Sequence, residues 1–162
     1  MQTQKNDLKK EQDQGIKLKG KWFLRLYGPD SELKAEKCGD NVVCTNGKEF
    51  LASFLKSAST AAATFNMRYV AIGTDSTGEL AAQTALGTEI KRVQGTGSYT
   101  SGGIYEVVAT FGTGTATGAI VEYGLFDVST AACGTMFSRD VEDVINKTGN
   151  DTLVVTTQIT LS

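Results

Sequence analysis

Asp140 and Glu142 stand two residues apart in the segment SRDVEDV, with Asp143 beside them. Alternate residues of an extended strand share a face. A strand here would put Asp140 and Glu142 together and Asp143 opposite. Two carboxylates so placed suit calcium ligation or an acid–base pair. Either use needs a further acid from another segment, and the sequence singles none out. The plainer expectation is a charged outward face or edge that blocks unwanted strand pairing.

Other residue types narrow the chemistry. The chain has no histidine, which removes serine–histidine and cysteine–histidine nucleophiles and every histidine-ligated metal site. Cys38, Cys44 and Cys133 are odd in number and widely spaced, so they form neither a zinc pattern nor a disulfide framework. Free thiols in a reducing compartment are expected, with a Cys38–Cys44 staple as the alternative. The glycine-rich run GTGTATG, Gly112 to Gly118, leads from a strand into a strand. A phosphate loop leads into a helix, whose N-terminus holds the anion. Gly118 is also one residue late for G-x-G-x-x-G, so the run reads as turn geometry. Lys48 follows Gly47, but Val42 occupies the position where a Walker loop needs glycine. DSTG, Asp75 to Gly78, reads as a plain turn. No catalytic residue, metal or cofactor is expected.

The elements that would position these residues are mostly strands. In KGKWFLRLYGPD, Trp22, Leu24 and Leu26 share one face, with Phe23, Arg25 and Tyr27 on the other. Gly28-Pro29-Asp30 then turns the chain. After a short Val42–Cys44 strand, Asn46 with Glu49 resembles a capping box. Phe50, Leu51, Phe54 and Leu55 recur at helical spacing, which predicts one amphipathic helix from Gly47 to Ala58. Tyr69 to Ile72 reads as a strand, and residues 74–92 as a long polar loop with at most one helical turn. IYEVVATF, AIVEYGLFDV, GTMFSRDV and DTLVVTTQITLS follow as strands. In the last, Leu153, Val155, Thr157, Ile159 and Leu161 line one face. One buried and one wet side mark an antiparallel sheet, and the glycine-rich turns predict a sandwich or jelly roll.

The fold class is therefore mainly β: an antiparallel, jelly-roll-like β-sandwich with one helix and an extended N-terminal arm. The length, 162 residues, suits one domain. Residues 1–20 form the expected arm and residues 21–162 the domain. No apolar run is long enough to span a bilayer, and residues 1–20 lack the apolar centre of a secretory signal. Lys5, Lys9, Lys10, Lys17, Lys19 and Lys21 make the start of the chain basic, on a chain of net charge −2. A basic arm on an acidic body suits an acidic partner. Without arginine or interleaved aromatics, the arm does not point to nucleic acid.

The order of segments adds a resemblance. The pieces are GKWFLRLYGPDSELK, NVVCTNGKEFLASFL, RYVAIGTDST, TALGTEIKR, ATFGTGTATGAIVEYGLFDV and INKTGNDTLVVTTQITLS. Together, over residues 20–162, they resemble a family of tailed-bacteriophage virion proteins. No single motif carries the likeness; order and spacing do. The family comprises capsid decoration (cement) proteins and tail-fibre-associated proteins, structural β-sandwiches that commonly trimerise. The resemblance implies a virion location, no catalysis, a homotrimer and the major capsid protein as partner. On a decoration protein the arm lysines would dock on the capsid, with Trp22, Phe23 and Tyr27 as candidate anchors, although Trp22 suits the core slightly better. The alternative is a tail-fibre or tail-tip protein, in which Tyr99, Tyr105 or Tyr123 would stack on host glycans.

Overall fold

The computed structural model describes residues 17–56 and 67–162, with side chains at all of these except 53–56. Their strands are β1 (Leu18–Tyr27), β2 (Leu33–Val43), β3 (Tyr69–Gly73), β4 (Glu89–Gln94), β5 (Thr96–Thr100), β6 (Ile104–Phe111), β7 (Gly118–Phe126), β8 (Met136–Lys147) and β9 (Thr152–Leu161). One helix, α1 (Thr45–Lys56), joins β2 to the segment before β3. The strands form one sheet in the order β4-β3-β7-β8-β2-β1-β9-β6-β5, and every pairing is antiparallel. The mainly-β antiparallel class read from the alternating strands is the architecture observed.

The sheet is barrel-like because one strand changes partners along its length and one run of chain joins the two ends of the sheet order. β2 pairs with β1 from Leu33 to Asn41, and then with β8 through Val42 and Val43 alone. β4 and β5 lie at opposite ends of the sheet order, yet only Gly95 separates them. Such switching strands make the corners between packed sheets. The two halves bury a common core that includes Trp22, Leu24, Ile72, Phe111, Tyr123, Leu125 and Val155. The Trp22 and Tyr123 rings meet across it at 5.9 Å between centroids. The expected inward faces of β6 and β9 are the buried ones: Val107, Ala109 and Phe111, then Leu153, Val155, Thr157 and Ile159.

A second, smaller core lies on the other face of β3, β7 and β8. Ala71, Phe126, Met136 and Cys44 pack there under Leu86 of the loop 74–88. Buried on both faces, β8 breaks the wet-and-dry alternation.

Several local expectations are corrected. The helix begins at Thr45, and its first bond runs from Lys48 N to Cys44 O (3.2 Å), so Cys44 rather than Asn46 caps it. Residues 57–58 of the predicted helix lie outside the described residues. Residues 89–92 belong to β4 rather than to the loop, and β5 was not foreseen. Strand β1 starts at Leu18, so Lys19 and Gly20, assigned to the arm, pair with Thr160 and Ile159 of β9. The three thiols are free, as the sequence predicts, with Cys44 buried and the other two exposed. DSTG is a turn closed on Asp75, whose Oδ1 accepts from Thr77 N (3.1 Å) and Thr77 Oγ1 (2.9 Å). GTGTATG is a connection from β6 to β7, tied down by Lys147 Nζ to Gly112 O (3.0 Å) and by Gly114 N to Gly149 O (2.7 Å).

Candidate functional site

The described chain enters the barrel where the sequence ends. Lys17 and Ser162 exchange backbone hydrogen bonds of 2.6 and 3.0 Å. Beside them opens a groove of about 560 Å³, lined by α1, β1, β5, β6, β7, β8, β9 and residues 67–68. Its walls are mostly apolar: Leu18, Phe50, Leu51, Met67, Leu125, Phe137, Ile159 and Leu161. Concave apolar surface with a few polar groups is the usual form of a binding site. The polar groups here are Arg68, Ser98, Tyr99 and Tyr105. The Arg68 Nε is buried without a hydrogen-bond partner. Tyr105 Oη donates to Met67 O at 2.9 Å, and burial raises its pKa. Tyr99 is 75% exposed at the rim, directly across the ladder from Tyr105. Sequence reasoning missed the groove as a unit, because eight separate segments build it and no local pattern marks it.

The sequence-predicted docking residues divide. Lys5, Lys9 and Lys10 lie outside the described residues. Lys19, Lys21, Phe23 and Tyr27 lie along the outer face of β1, with Lys17 just before it, the lysines exposed and the aromatics half-buried. Arg25 joins this stripe and is held by Glu36 at 2.7 Å. Trp22 is on the opposite face and fully buried. Its indole Nε1 donates to the Asn41 side-chain oxygen (2.8 Å), which also accepts from Ser138 Oγ. Trp22 is therefore a core residue, not a docking anchor. Tyr123 is likewise fully buried, which removes it from the candidate sugar-stacking residues.

Of the three carboxylates, Asp143 is on the outside, its side chain 98% exposed, but Asp140 is not. Asp140 is 1% exposed and points inward, opposite Tyr123 in the β7–β8 ladder. Its Oδ2 and the Tyr123 hydroxyl are both buried without partners. Burial, then the charges of Glu142 and Glu79, push the Asp140 carboxyl up to about 7. Burial also raises Tyr123, reinforced by Asp140 and Glu142. Glu142 lies over Gly39 of β2, where a Cβ would stand 1.8 Å from its Oε1 and 3.8 Å from Asp140 Oδ2. A side chain at 39 would displace the Glu142 carboxylate, whereas its approach to Asp140 is ordinary contact. Among the described residues no group of three or more His, Cys, Asp or Glu is placed to hold a metal ion.

On the opposite face Glu122 and Arg139 form a fully buried ion pair, with Nη2–Oε2 at 2.9 Å. Glu122 also accepts from the backbone N–H groups of Asp75, Gly87 and Thr88 at 3.2, 2.9 and 2.7 Å. Arg139 Nη1 donates to Thr77 O and Gln83 Oε1. The pair pins the loop 74–88 onto the sheet. Its bonds are all internal to the fold, so its role is structural.

Compared with known protein families, with curated proteins and with solved structures, the chain matches none. None of the described helices is long and apolar enough to cross a membrane.

Proposed function

We propose that this chain is a non-enzymatic structural protein of a tailed-phage virion. In this reading it is a capsid decoration (cement) protein that binds the outside of the head and stabilises contacts between capsomers. It is made in the host cytoplasm, assembles as a homotrimer and takes the major capsid protein as its partner. One observation carries the reading: the chain joins the barrel at Lys17 and Leu18, between an apolar groove and a basic-aromatic stripe. Leu18 faces the groove, while Lys17, Lys19, Lys21, Phe23 and Tyr27 face the other way. An arm rooted there is flanked by two surfaces of the kind found at interfaces, one apolar and one rich in aromatic and cationic residues. Repeated over many copies on a lattice, modest contacts suffice, because linked weak sites add avidity. The enclosure of Asp140 also supports a non-catalytic role, since a substrate does not reach it.

The test is co-sedimentation of the purified chain with DNA-filled heads of its own phage, stripped of this protein. Binding at one trimer per lattice site is expected. A chain starting at Lys17, or one carrying Leu161→Asp in the groove, should remain folded and lose binding. Heads that bind neither the full chain nor a variant would overturn the reading.

A tail-fibre or tail-tip role with glycan binding is the second reading. Exposed Tyr99 beside Tyr105 at the groove rim favours it, since aromatic faces stack on sugar rings. The chain found on purified tails, with a glycan-array signal lost in Tyr99→Ala, would move the assignment there.

A further inference from the structure

The seam between β2 and β8 is held unevenly. At one end two residue pairs bridge it, Val42 with Arg139 and Val43 with Ser138. Next to them Asn41 takes the Ser138 hydroxyl at 3.0 Å. Beyond that the ladder stops, and Gly39 faces Asp140 and Glu142. Farther along, Lys37 reaches over to the Asp143 carbonyl at 2.7 Å. The middle of the seam thus has no backbone pairing and holds two acids in its place.

The groups facing Asp140 come from every neighbouring element. β7 brings Tyr123, with its hydroxyl unpartnered. β8 brings Glu142, the Arg139 charge and the Val141 N–H, and the loop 74–88 brings Glu79. β2 contributes Gly39, which has no side chain to pair. Its nearby cation, Lys37, is bonded to Asp143 O and 3.9 Å from the Asp143 carboxylate. Arg139 is engaged with Glu122 on the other face. No cation therefore neutralises an ionised Asp140 from close range, and two acids oppose it.

We propose that this seam is a proton-operated joint: it is closed when Asp140 carries its proton and loosens when Asp140 is ionised. Protonated, the carboxyl is neutral and has a hydrogen to offer the Glu142 carboxylate across the same glycine. Ionised, it faces Glu142 in an enclosed space, where like charges disfavour one another strongly. Parting β2 from β8 lets water in, and the proton leaves to bulk solvent. The raised carboxyl of Asp140 places the change near neutral pH.

The chain carries its own reporter. Trp22 is the only tryptophan, its ring tilted against that of Tyr123 and tied to the seam through Asn41. With no histidine in the chain, the side chains offer no ordinary group that titrates near neutrality. Trp22 emission of the full chain would be followed from pH 4.5 to 9, with amide exchange measured at both ends of that range. A one-proton transition near neutral is expected, with lower protection, relative to the intrinsic exchange rate at each pH, in residues 35–41 and 140–146 above it. Asp140→Asn should abolish the transition and keep that protection high throughout. Glu142→Gln should move the midpoint toward acid, because it removes the opposing charge. A flat wild-type profile, or a transition that survives in Asp140→Asn, would overturn the joint. If Asp140→Asn does not fold, Glu142→Gln decides, and an unmoved midpoint defeats the proposal. None of these readouts involves heads, so failure here and failure of the decoration reading are separate results.

Discussion

The carboxylates show most directly how position sets chemistry. Glu122 gathers donors from Arg139, Asp75, Gly87 and Thr88 in a fully buried site. Glu122→Gln would put amide hydrogens against those donors and leave the Arg139 guanidinium only the more distant Asp75 carboxylate, at 3.7 Å. Breaking one side of a buried pair costs roughly 3–5 kcal/mol, so a large fall in the urea midpoint is expected. Asp151 and Asp140 should give opposite pH slopes. Bonds from Lys34 and Thr148 hold the Asp151 carboxyl at about 2, below its ordinary 3.8. Its contribution is complete above pH 4 and lost as pH falls through 2. Asp140 is raised from 3.8 to about 7. Unfolding releases its proton between those values, so stability falls as pH rises from 4 to 7, by at most roughly 4 kcal/mol. Thermal melts should therefore peak near pH 4–5. A maximum at pH 7 or above would contradict the Asp140 assignment.

At the scale of elements, the helix tests the packing. α1 lies on β8 with Gly47 at the contact, where an added Cβ would sit 2.4 Å from Phe137 O. Alanine in place of a helical glycine normally stabilises by about 1 kcal/mol. Here the obstacle is backbone, and overpacking costs about 1–3 kcal/mol. Gly47→Ala is expected to lower the melting temperature and shift the groove wall formed by Phe50 and Leu51. A stabilised variant would show that α1 slides freely on β8. The elements also show which parts of the fold the sequence could reveal. β1, β6 and β9 were legible because one face of each is core and the other is wet. β8 was legible as a strand but not in its faces, since the loop 74–88 covers the side that should have been polar. That cover buries Arg139, while the inner face takes Asp140. β4 was hidden because its only buried residue is Arg92, whose guanidinium lies 3.5 Å over the Phe126 ring. β5, Thr96–Thr100, is exposed throughout and offers no apolar period. The cap at Cys44 was hidden because its role lies in the backbone: Cys44 O accepts the first helical bond, and Cys44 N donates to Phe137 O at 2.9 Å.

For the whole molecule, the decisive pairing is between the two ends of the described chain. β9 lies between β1 and β6, and ten residue pairs join it to β1, from Leu18 with Leu161 to Tyr27 with Thr152. Removing β9 would strip both neighbours of their ladder and take Leu153, Val155 and Ile159 from the core. Trp22 and Leu24 pack in that same core, so the loss would reach the other half of the barrel. A chain ending at Asp151 is therefore expected to be unfolded, with Trp22 emission at the wavelength of solvent-exposed indole. The opposite truncation should behave differently. A chain starting at Lys17 keeps every described strand and should melt at the same temperature as the full chain. This asymmetry separates folding from docking: residues before Lys17 can be removed to test capsid binding, whereas the last strand cannot. The same topology sets the speed of folding, since β1 gains its second neighbour only when the far end of the sequence arrives. Such non-local strand pairing is associated with refolding in roughly milliseconds to seconds. Stopped-flow refolding followed at Trp22 should fall in that range, and completion in microseconds would mean that the core around Trp22 forms without β9.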